Sequence, residues 1–241
     1  MSAIALIFAG GTGRRMNNEG TPKQFLEVNG KPIILYTLER FEEHPAIDGI
    51  VIACLKDYIP LLERLVRQHG LDKVSAVVPG GSTGQASIRN GINAAMERYS
   101  PETLVLVHDG VRPLVDPDTI SRVVRCAEEN GNAFTVAPAQ ETVFYNENSD
   151  GTAGNILDRS RCHLLRAPQC MSLGKLSLLH SLAEADGKLD FIDTASLAAH
   201  YGERLFEVEG RPENIKITTP IDYYIFRAIL EAQENRRIFG V

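Results

Sequence analysis

The sequence of 241 residues contains only four cysteines and has no excess of basic side chains. None of the cysteines forms a Cys-x-x-Cys pair or a zinc-ligand spacing with histidine, so we predict reduced, structural thiols, as in a cytoplasmic protein. The 25 basic and 31 acidic residues give a net charge of −6. General nucleic-acid binding depends on basic side chains that release counterions, so nucleic acid is not an expected partner. A few local cations are still sufficient to bind a small phosphorylated substrate.

The sequence also lacks a long hydrophobic run. No apolar stretch approaches the roughly 20 residues that a helix needs to cross a bilayer, so no membrane span is predicted. The apolar start, residues 1–8, has no basic residue and leads directly into Ala9-Gly10-Gly11. This order favours a first buried strand over a signal peptide.

Short β-branched runs alternate with helical patterns through the first 137 residues. The predicted strands are Ile4–Ala9, Gly49–Cys54, Val74–Val78, Thr103–Val107 and Ala133–Ala137. The predicted helices are Pro32–Glu43, Tyr58–His69, Ala86–Arg98 and Pro117–Glu129. This alternation is typical of an α/β fold with a Rossmann-like, mostly parallel sheet that has helices on both faces. In such sheets ligands bind at the carboxyl ends of the strands.

The alternation stops after residue 139. Glu141–Tyr145 and Asn155–Leu157 are predicted extended segments on either side of a polar tip, Asn146–Gly154, which is typical of a hairpin. We assign residues 140–166 to a protruding β-arm of a single domain that covers residues 1–241. A two-stranded ribbon is marginally stable alone, so we expect it to pack on another surface, first of all a partner subunit. A surface hairpin without a partner is the alternative. After the arm, the sequence predicts a helix at 172–185, a strand at 205–208 and a final helix at 221–236.

A glycine-rich loop follows the first predicted strand. The glycines in 10–13 let the backbone approach a ligand closely and present amide donors to it. Arg14, Arg15 and Lys23 add the cations that a triphosphate requires. The loop lacks the Gly-Lys-Ser/Thr ending of a P-loop, and it has Met16 where the dinucleotide fingerprint needs glycine or alanine. We therefore favour nucleotide phosphates as the ligand, with a plain turn as the alternative.

The segment HDGVRP at 108–113 follows another buried strand, so its polar side chains are expected at the same edge of the sheet. An aspartate at this position, Asp109, suits Mg²⁺ that is held together with substrate phosphates. His108 is predicted to be a packed, hydrogen-bonded structural residue, with a catalytic role as the alternative.

The segment GGSTGQAS at 80–87 follows a strand and opens a helix, so its amides are expected to point into the same crevice. Ser87, on the first helical turn, is a candidate contact for base or ribose. The alternative is a simple helix cap formed by Ser82 or Thr83.

The segment ENIKIT at 213–218 is predicted to be extended, with Lys216 opposite its two isoleucine neighbours. A lysine in this pattern is often a solvated edge charge. Its spacing alone does not decide between that interpretation and a phosphate contact.

Taken together, these segments resemble the cytidylyltransferases that attach CMP to sugar-alcohol phosphates, such as 2-C-methyl-D-erythritol 4-phosphate and ribitol-5-phosphate cytidylyltransferases. The similarity runs from Ile4 to about Ile229 and contains six motifs in the family's order: AGGTGRRM at 9–16, PKQF at 22–25, HDGVRP at 108–113, RAPQ at 166–169, IDTAS at 192–196 and ENIKIT at 213–218. It implies a nucleotidyltransferase-type fold. It also implies that CTP and a polyol phosphate react to a CDP-polyol and pyrophosphate, with Mg²⁺ as cofactor.

The resemblance also implies roles for individual residues. The catalytic cations that neutralise the α- and β-phosphates would be Arg15, Lys23 and Lys216. The nucleotide-binding residues would be Ala9, Gly10, Gly11, Thr12, Gly13, Arg14, Gly80, Gly81, Ser87 and Asp109. Asp109 would support the metal and Arg112 the polyol phosphate. Thr142 and Arg159, on the arm, would reach the polyol phosphate in the other subunit of a homodimer.

Two acceptors remain open within this resemblance. The Gly10-Gly11 pair and Val111 favour D-ribitol 5-phosphate, with 2-C-methyl-D-erythritol 4-phosphate as the alternative. A nucleotide-binding module without turnover is a competing hypothesis. Another is a sugar-1-phosphate nucleotidyltransferase that uses a different nucleotide, although such an enzyme is not expected to contain HDGVRP and ENIKIT.

Overall fold

The computed structural model describes residues 2–11, 20–146 and 154–239. The strands are β1 (Ala3–Ala9), β2 (Glu27–Val28), β3 (Lys31–Pro32), β4 (Gly49–Cys54), β5 (Val74–Pro79), β6 (Leu104–Asp109), β7 (Asn132–Pro138), β8 (Phe144–Tyr145), β9 (Asn155–Ile156), β10 (His163–Ser172) and β11 (Glu207–Glu209). The α-helices are α1 (Ile33–Glu42), α2 (Ile59–Gln68), α3 (Gly84–Met96), α4 (Pro117–Asn130), α5 (Leu173–Ala185), α6 (Thr194–His200) and α7 (Pro220–Phe239).

Seven of the strands form the central sheet, in the order β11-β7-β10-β6-β1-β4-β5. The neighbours β6, β1, β4 and β5 pair in parallel, as do β11 and β7. β10 runs antiparallel to both β6 and β7, so it is the one reversed strand of this sheet. The predicted Rossmann-like α/β fold with a mostly parallel sheet is confirmed.

Both faces of the sheet are covered by helices, which explains the continuous apolar run of β1. Ala5 and Ile7 belong to the core cluster that contains residues of α1, α2 and α4. Ile4 and Leu6 belong to the cluster that contains residues of α3, α5 and α6. Because successive side chains of a strand point to opposite faces, every position of a doubly covered strand is apolar.

The strand order places a crevice beside β1. From β1 the chain adds β4 and β5 on one side, and α3 then carries it back to β6 on the other side of β1. The carboxyl ends of β1 and β6, at Ala9 and Asp109, therefore lie next to each other where the strand order reverses. This is the position at which open α/β sheets bind ligands.

β10 was not predicted. Its first residues, 163–166, fall within the segment assigned to the arm, but they pair with β7 in the central sheet. The strand is hard to recognise because it is exposed at His163 and buried from Ala167 to Met171. Its register also shifts between Leu165 and Gln169, around a proline. No single alternation of apolar and polar residues therefore runs through it.

The arm contains a smaller sheet than predicted. β8 and β9 pair antiparallel over two residues each, with Phe144 opposite Ile156 and Tyr145 opposite Asn155. The predicted hairpin therefore exists, while most of its predicted tip lies outside the described residues. None of the helices in the described ranges is both long and apolar enough to cross a bilayer.

Two other segments differ from prediction. α6 was not predicted, although Asp193 caps it with a side chain that accepts the N–H of Ser196 at 2.8 Å. Residues 215–218 do not form a strand. Ile217 instead donates its N–H to the carbonyl of Val111 at 2.9 Å, which fastens this segment beside the end of β6.

Candidate active site

A cavity of about 510 Å³ lies at the carboxyl edge of the sheet, and we call it the larger cavity. The loops after β1, β5 and β6 and the segment 215–218 all contribute to its wall. Eight of the residues predicted for the site line it together: Ala9, Gly10, Gly11, Lys23, Gly81, Ser87, Asp109 and Lys216. Four other predicted residues, Thr12, Gly13, Arg14 and Arg15, lie outside the described residues.

Close backbone packing forms one wall of the larger cavity. A Cβ atom on Gly10 would lie 2.7 Å from the Ser87 hydroxyl, and one on Gly80 would lie 3.2 Å from the Cα of Gly10. Gly80 does not line the larger cavity, and its predicted contact with the nucleotide stays a prediction. These positions require glycine because three chain segments meet here.

The Ser87 hydroxyl holds the loop after β5 in place. It accepts the N–H of Gly81 at 3.0 Å and donates to the carbonyl of Thr83 at 2.8 Å. Thr83 in turn caps α3 by accepting the N–H of Ala86 at 3.1 Å. The predicted helix cap is confirmed, with Thr83 as the capping residue. In the structure Ser87 orders the loop, and its predicted contact with base or ribose stays a prediction.

Gln24 fixes the other wall of the larger cavity. Its Nε2 donates to the carbonyls of Ala9 at 2.6 Å and Gly11 at 3.1 Å. The one-turn helix Lys23–Phe25 that presents Gln24 is anchored by Phe25, whose ring stacks on Tyr58 with centroids 4.8 Å apart. Gln24 stands in the PKQF motif, but no role was predicted for it.

Asp109 forms ion pairs with two basic side chains that were predicted to bind phosphates. Its Oδ1 lies 2.6 Å from Lys216 Nζ, and its Oδ2 lies 2.7 Å from Arg112 Nε. Burial alone would raise the pKa of this carboxyl group, but the charges of Arg112 and Lys216 outweigh burial and hold the pKa well below its usual range. Asp109 is therefore an ionised carboxylate that positions both cations.

His108 is structural, as predicted. It is buried, and its Nε2 is 3.1 Å from the carbonyl of Arg112, to which it donates in the neutral form. Burial lowers the pKa of His108 to about 4, so the ring is neutral near pH 7. The histidine thereby supports the backbone that carries Arg112.

A second cavity of about 160 Å³ adjoins the first, and we call it the smaller cavity. Phe8, Asp109 and Lys216 line both cavities. The smaller cavity is lined further by side chains from the RAPQ and IDTAS motifs and the loop after β6: Arg112, Arg166, Gln169, Asp193 and Thr194. Of these five residues, only Arg112 has a role predicted from the sequence.

Gln169 connects the two motifs that line the smaller cavity. Its Oε1 accepts the N–H of Ala195 at 3.0 Å, and its Nε2 donates to the carbonyl of Arg166 at 3.0 Å. The amide thus fastens the start of α6 to β10. Such a contact between residues 26 positions apart leaves no signal in local spacing.

The two predicted arm residues lie away from these cavities. Thr142 is exposed. Arg159 is also exposed and donates through Nη1 to the carbonyl of Gln140 at 2.8 Å. Neither residue lines the larger or the smaller cavity of its own chain.

The donor set at the crevice is suited to a metal that is bound jointly with a substrate. In the part of the chain that the structure describes, no three histidine, cysteine, aspartate or glutamate side chains are grouped as metal ligands. Asp109 offers one ionised carboxylate at the boundary of the two cavities. Mg²⁺ is commonly held by one or two carboxylates together with substrate phosphates, so a single carboxylate fits this mode.

Comparisons with known proteins agree on one family. The family model described as 2-C-methyl-D-erythritol 4-phosphate cytidylyltransferase matches residues 3–232. Ribitol-5-phosphate cytidylyltransferase of Vibrio parahaemolyticus serotype O3:K6 is 44% identical, over 98% of this chain and 99% of that protein. 2-C-Methyl-D-erythritol 4-phosphate cytidylyltransferase of Geobacter metallireducens is 37% identical, over 96% and 98%. The crystal structure of 4-diphosphocytidyl-2C-methyl-D-erythritol synthase from Anaerococcus prevotii has a TM-score of 0.82 and 23% identity, covering 95% of this chain and 96% of that one, which shows a shared fold.

Proposed function

Since the chain belongs to the 2-C-methyl-D-erythritol 4-phosphate cytidylyltransferase family, we propose that it transfers CMP from CTP to a polyol phosphate and that the acceptor is D-ribitol 5-phosphate. The ribitol-phosphate relative is 44% identical and the methylerythritol-phosphate relative 37%, at nearly equal coverage. 2-C-Methyl-D-erythritol 4-phosphate is the second candidate, because the matching family model bears its name.

The observation that carries this proposal is that the two cavities meet at a shared cation. Lys216 lines both, and its ammonium group is held 2.6 Å from Asp109. A transferase must place a donor and an acceptor on either side of one reacting phosphorus atom. CTP in the larger cavity and the polyol phosphate in the smaller one would meet at Lys216.

The reaction needs no nucleophile from the protein. An oxygen of the acceptor phosphate attacks the α-phosphorus of CTP, the bond from that phosphorus to the bridging oxygen breaks, and pyrophosphate leaves with that oxygen. Lys23 and Lys216 neutralise the charge that grows on the phosphates, and Arg14 and Arg15 are proposed to do the same. Asp109 keeps Lys216 in position.

We propose Mg²⁺ as the cofactor, bound by Asp109 and the phosphates of CTP. When bound, the ion would neutralise phosphate charge and orient the triphosphate. The low pKa of Asp109 supports this role, since only the ionised carboxylate is a good magnesium ligand.

We further propose that two chains form a homodimer through their arms. Six large apolar side chains between residues 144 and 165 are at least 40% exposed: Phe144, Tyr145, Ile156, Leu157, Leu164 and Leu165. Exposed apolar patches of this kind mark interaction surfaces. In such a dimer, Thr142 and Arg159 of one chain would lie near the smaller cavity of the other chain. Cytoplasmic location is proposed from the four free thiols.

Pyrophosphate release tests the proposed activity. The protein is incubated with CTP, Mg²⁺ and one of three acceptors: D-ribitol 5-phosphate, 2-C-methyl-D-erythritol 4-phosphate or glycerol 3-phosphate. We expect release in the presence of an acceptor, with the highest kcat/KM for ribitol 5-phosphate. CTP binding without release for any acceptor would instead support a binding module. Faster release with UTP or GTP would support a different nucleotidyltransferase.

A substitution that introduces a charge into the apolar patch tests whether the patch forms the dimer interface. Ile156→Asp should dissociate the dimer in sedimentation experiments and lower kcat/KM for the polyol phosphate about tenfold, while the Kd for CTP stays unchanged. Leu178→Asp is the matched control, because Leu178 is also more than half exposed but lies on α5. A monomeric wild-type protein, or a monomeric variant with full kcat/KM, would contradict an arm that acts in the partner's site.

A further inference from the structure

Two arginines from distant parts of the chain converge beside the smaller cavity. Arg112 follows β6 and Arg166 lies in β10, yet the Nη1 atoms of both donate to the carbonyl of Asn214, at 3.0 and 2.8 Å. Burial, and after it the neighbouring charge of Arg112, lowers the pKa of Arg166. Two guanidinium groups at one carbonyl repel each other, and an anion that lies near both would offset this repulsion.

The charges around this pair are not balanced by the chain. Arg112 and Lys216 share the carboxylate of Asp109, whereas Arg166 has no carboxylate partner within the described residues. Three cations face two carboxylates, Asp109 and Asp193, around the smaller cavity, which leaves a charge of 3 − 2 = +1. A phosphate monoester has a charge between about −1.5 and −2 at neutral pH, so this surplus attracts it.

The opposite side of the smaller cavity is suited to hydroxyl groups. Thr194 lines the cavity, and its buried hydroxyl has no hydrogen-bond partner within the described residues. Asp193 also lines the cavity, and its carboxylate caps α6 through the N–H of Ser196. A buried hydroxyl without a partner is uncommon in folded proteins and is an expected contact for a ligand that brings its own hydroxyl groups.

We infer that Arg166 binds the phosphate of the acceptor together with Arg112, and that Thr194 binds a hydroxyl group of its polyol chain. The acceptor would then lie across the smaller cavity with its phosphate toward Lys216 and the larger cavity. The volume of about 160 Å³ suits a small acyclic molecule. This inference rests on the proposed function, because it specifies how that acceptor is recognised.

Steady-state kinetics of Arg166→Gln test the phosphate contact. We expect the KM for D-ribitol 5-phosphate to rise about 10- to 100-fold, as for the loss of one charge-assisted hydrogen bond, with the KM for CTP unchanged. The inhibition constant of inorganic phosphate, as a competitor of the acceptor, should rise by a similar factor. Arg166→Lys should recover part of the loss, because it keeps the charge but not the two-pronged geometry. Arg98→Gln is the matched control, since Arg98 is exposed and pairs with the exposed Glu97 at 3.1 Å.

Thr194→Val tests the hydroxyl contact with a side chain of nearly the same shape. We expect about a fivefold higher KM for D-ribitol 5-phosphate, with unchanged inhibition by inorganic phosphate. The Tm should not fall, because the hydroxyl has no partner to lose.

The outcomes separate this inference from the proposed function. A wild-type protein that releases no pyrophosphate with any polyol phosphate would overturn the function. An active wild type together with an unchanged KM for ribitol 5-phosphate in Arg166→Gln would overturn the inference alone. Equal increases of both KM values in the folded Arg166→Lys variant would also overturn it, since they would indicate a general structural effect.

Discussion

The two cavities are built in different ways. The larger cavity is lined largely by glycine-containing loops that follow the parallel strands β1 and β5, and its position is set by strand order. The smaller cavity is lined by residues from β10, from the start of α6 and from the end of β6 with the loop after it, together with Lys216. A site of the first kind is visible in sequence as glycines after an apolar run, whereas a site of the second kind depends on tertiary contacts.

The largest effect is expected at Lys216, the lysine that lines both cavities. Lys216→Ala should lower kcat by about 10³-fold, because it removes a positioned cation from the reacting phosphates. Stopped assays of pyrophosphate release, with folding checked by circular dichroism, measure this effect.

Lys175→Ala is the control for Lys216, because it removes a lysine paired with a carboxylate, Glu203, at 2.6 Å on the surface. We expect it to leave kcat unchanged, as surface ion pairs contribute little. Equal rates in the Lys216 variant and the wild type would show that the cavities do not meet at a catalytic cation.

A smaller effect, limited to the larger cavity, is expected from Gly10→Ala. The new Cβ would displace the Ser87 hydroxyl, which holds the amide of Gly81. We expect the KM for CTP to rise about tenfold and the free energy of unfolding to fall by about 1–3 kcal/mol, with the KM for the polyol phosphate unchanged.

Gly11→Ala is a matched control for the stability effect. A Cβ on Gly11 would meet no atom within 4 Å in the described structure, so its Tm should equal that of the wild type. If both variants lose the same stability, close packing at Gly10 is not the cause.

A further effect, on stability and not on activity, concerns pH and two buried, neutral histidines, His108 in β6 and His180 on α5. Burial lowers the pKa values of His108 and His180 to about 4, from 6.5 for an exposed histidine. Between pH 6.5 and 4 the unfolded chain therefore binds protons that the folded chain does not. Stability should fall as the pH drops, by at most about 1.4 kcal/mol per pH unit for each group. Asp109 adds little above pH 5, because the stability from its lowered pKa is lost only as the pH falls toward and below 3.8.

Urea unfolding at pH 7.0 and pH 5.0 measures this dependence. His180→Gln should remove part of it without altering kcat, because His180 lies on α5 away from both cavities. A free energy of unfolding that does not change between the two pH values would contradict buried, neutral histidines.

Sequence predicted the parallel half of the fold and missed the reversed strand. Strands such as β1 and β4 are continuous apolar runs, since both of their faces are covered. β10 combines an exposed start, a register shift and a buried end, so no one period describes it. The start of α6 was overlooked although Asp193 and Ser196 form a capping box there.

The same contrast applies to the site residues. Lys23, Asp109 and Lys216 were predicted through motifs, and the structure brings them to one cavity. Arg166 and Gln24 stand in quoted motifs, but their roles depend on carbonyl groups that only the fold brings near them. Local spacing therefore predicted which loops line the larger cavity better than which side chains line the smaller one.

The most direct test of the two-cavity account is a competition for limiting CTP. Equal concentrations of D-ribitol 5-phosphate and 2-C-methyl-D-erythritol 4-phosphate are supplied with Mg²⁺, and the products are quantified by ³¹P NMR and mass spectrometry. The account predicts CDP-ribitol as the main product, with one pyrophosphate released for each CDP-polyol formed. CDP-methylerythritol as the main product would contradict the proposed acceptor, and pyrophosphate without any CDP-polyol would contradict transfer between the two cavities.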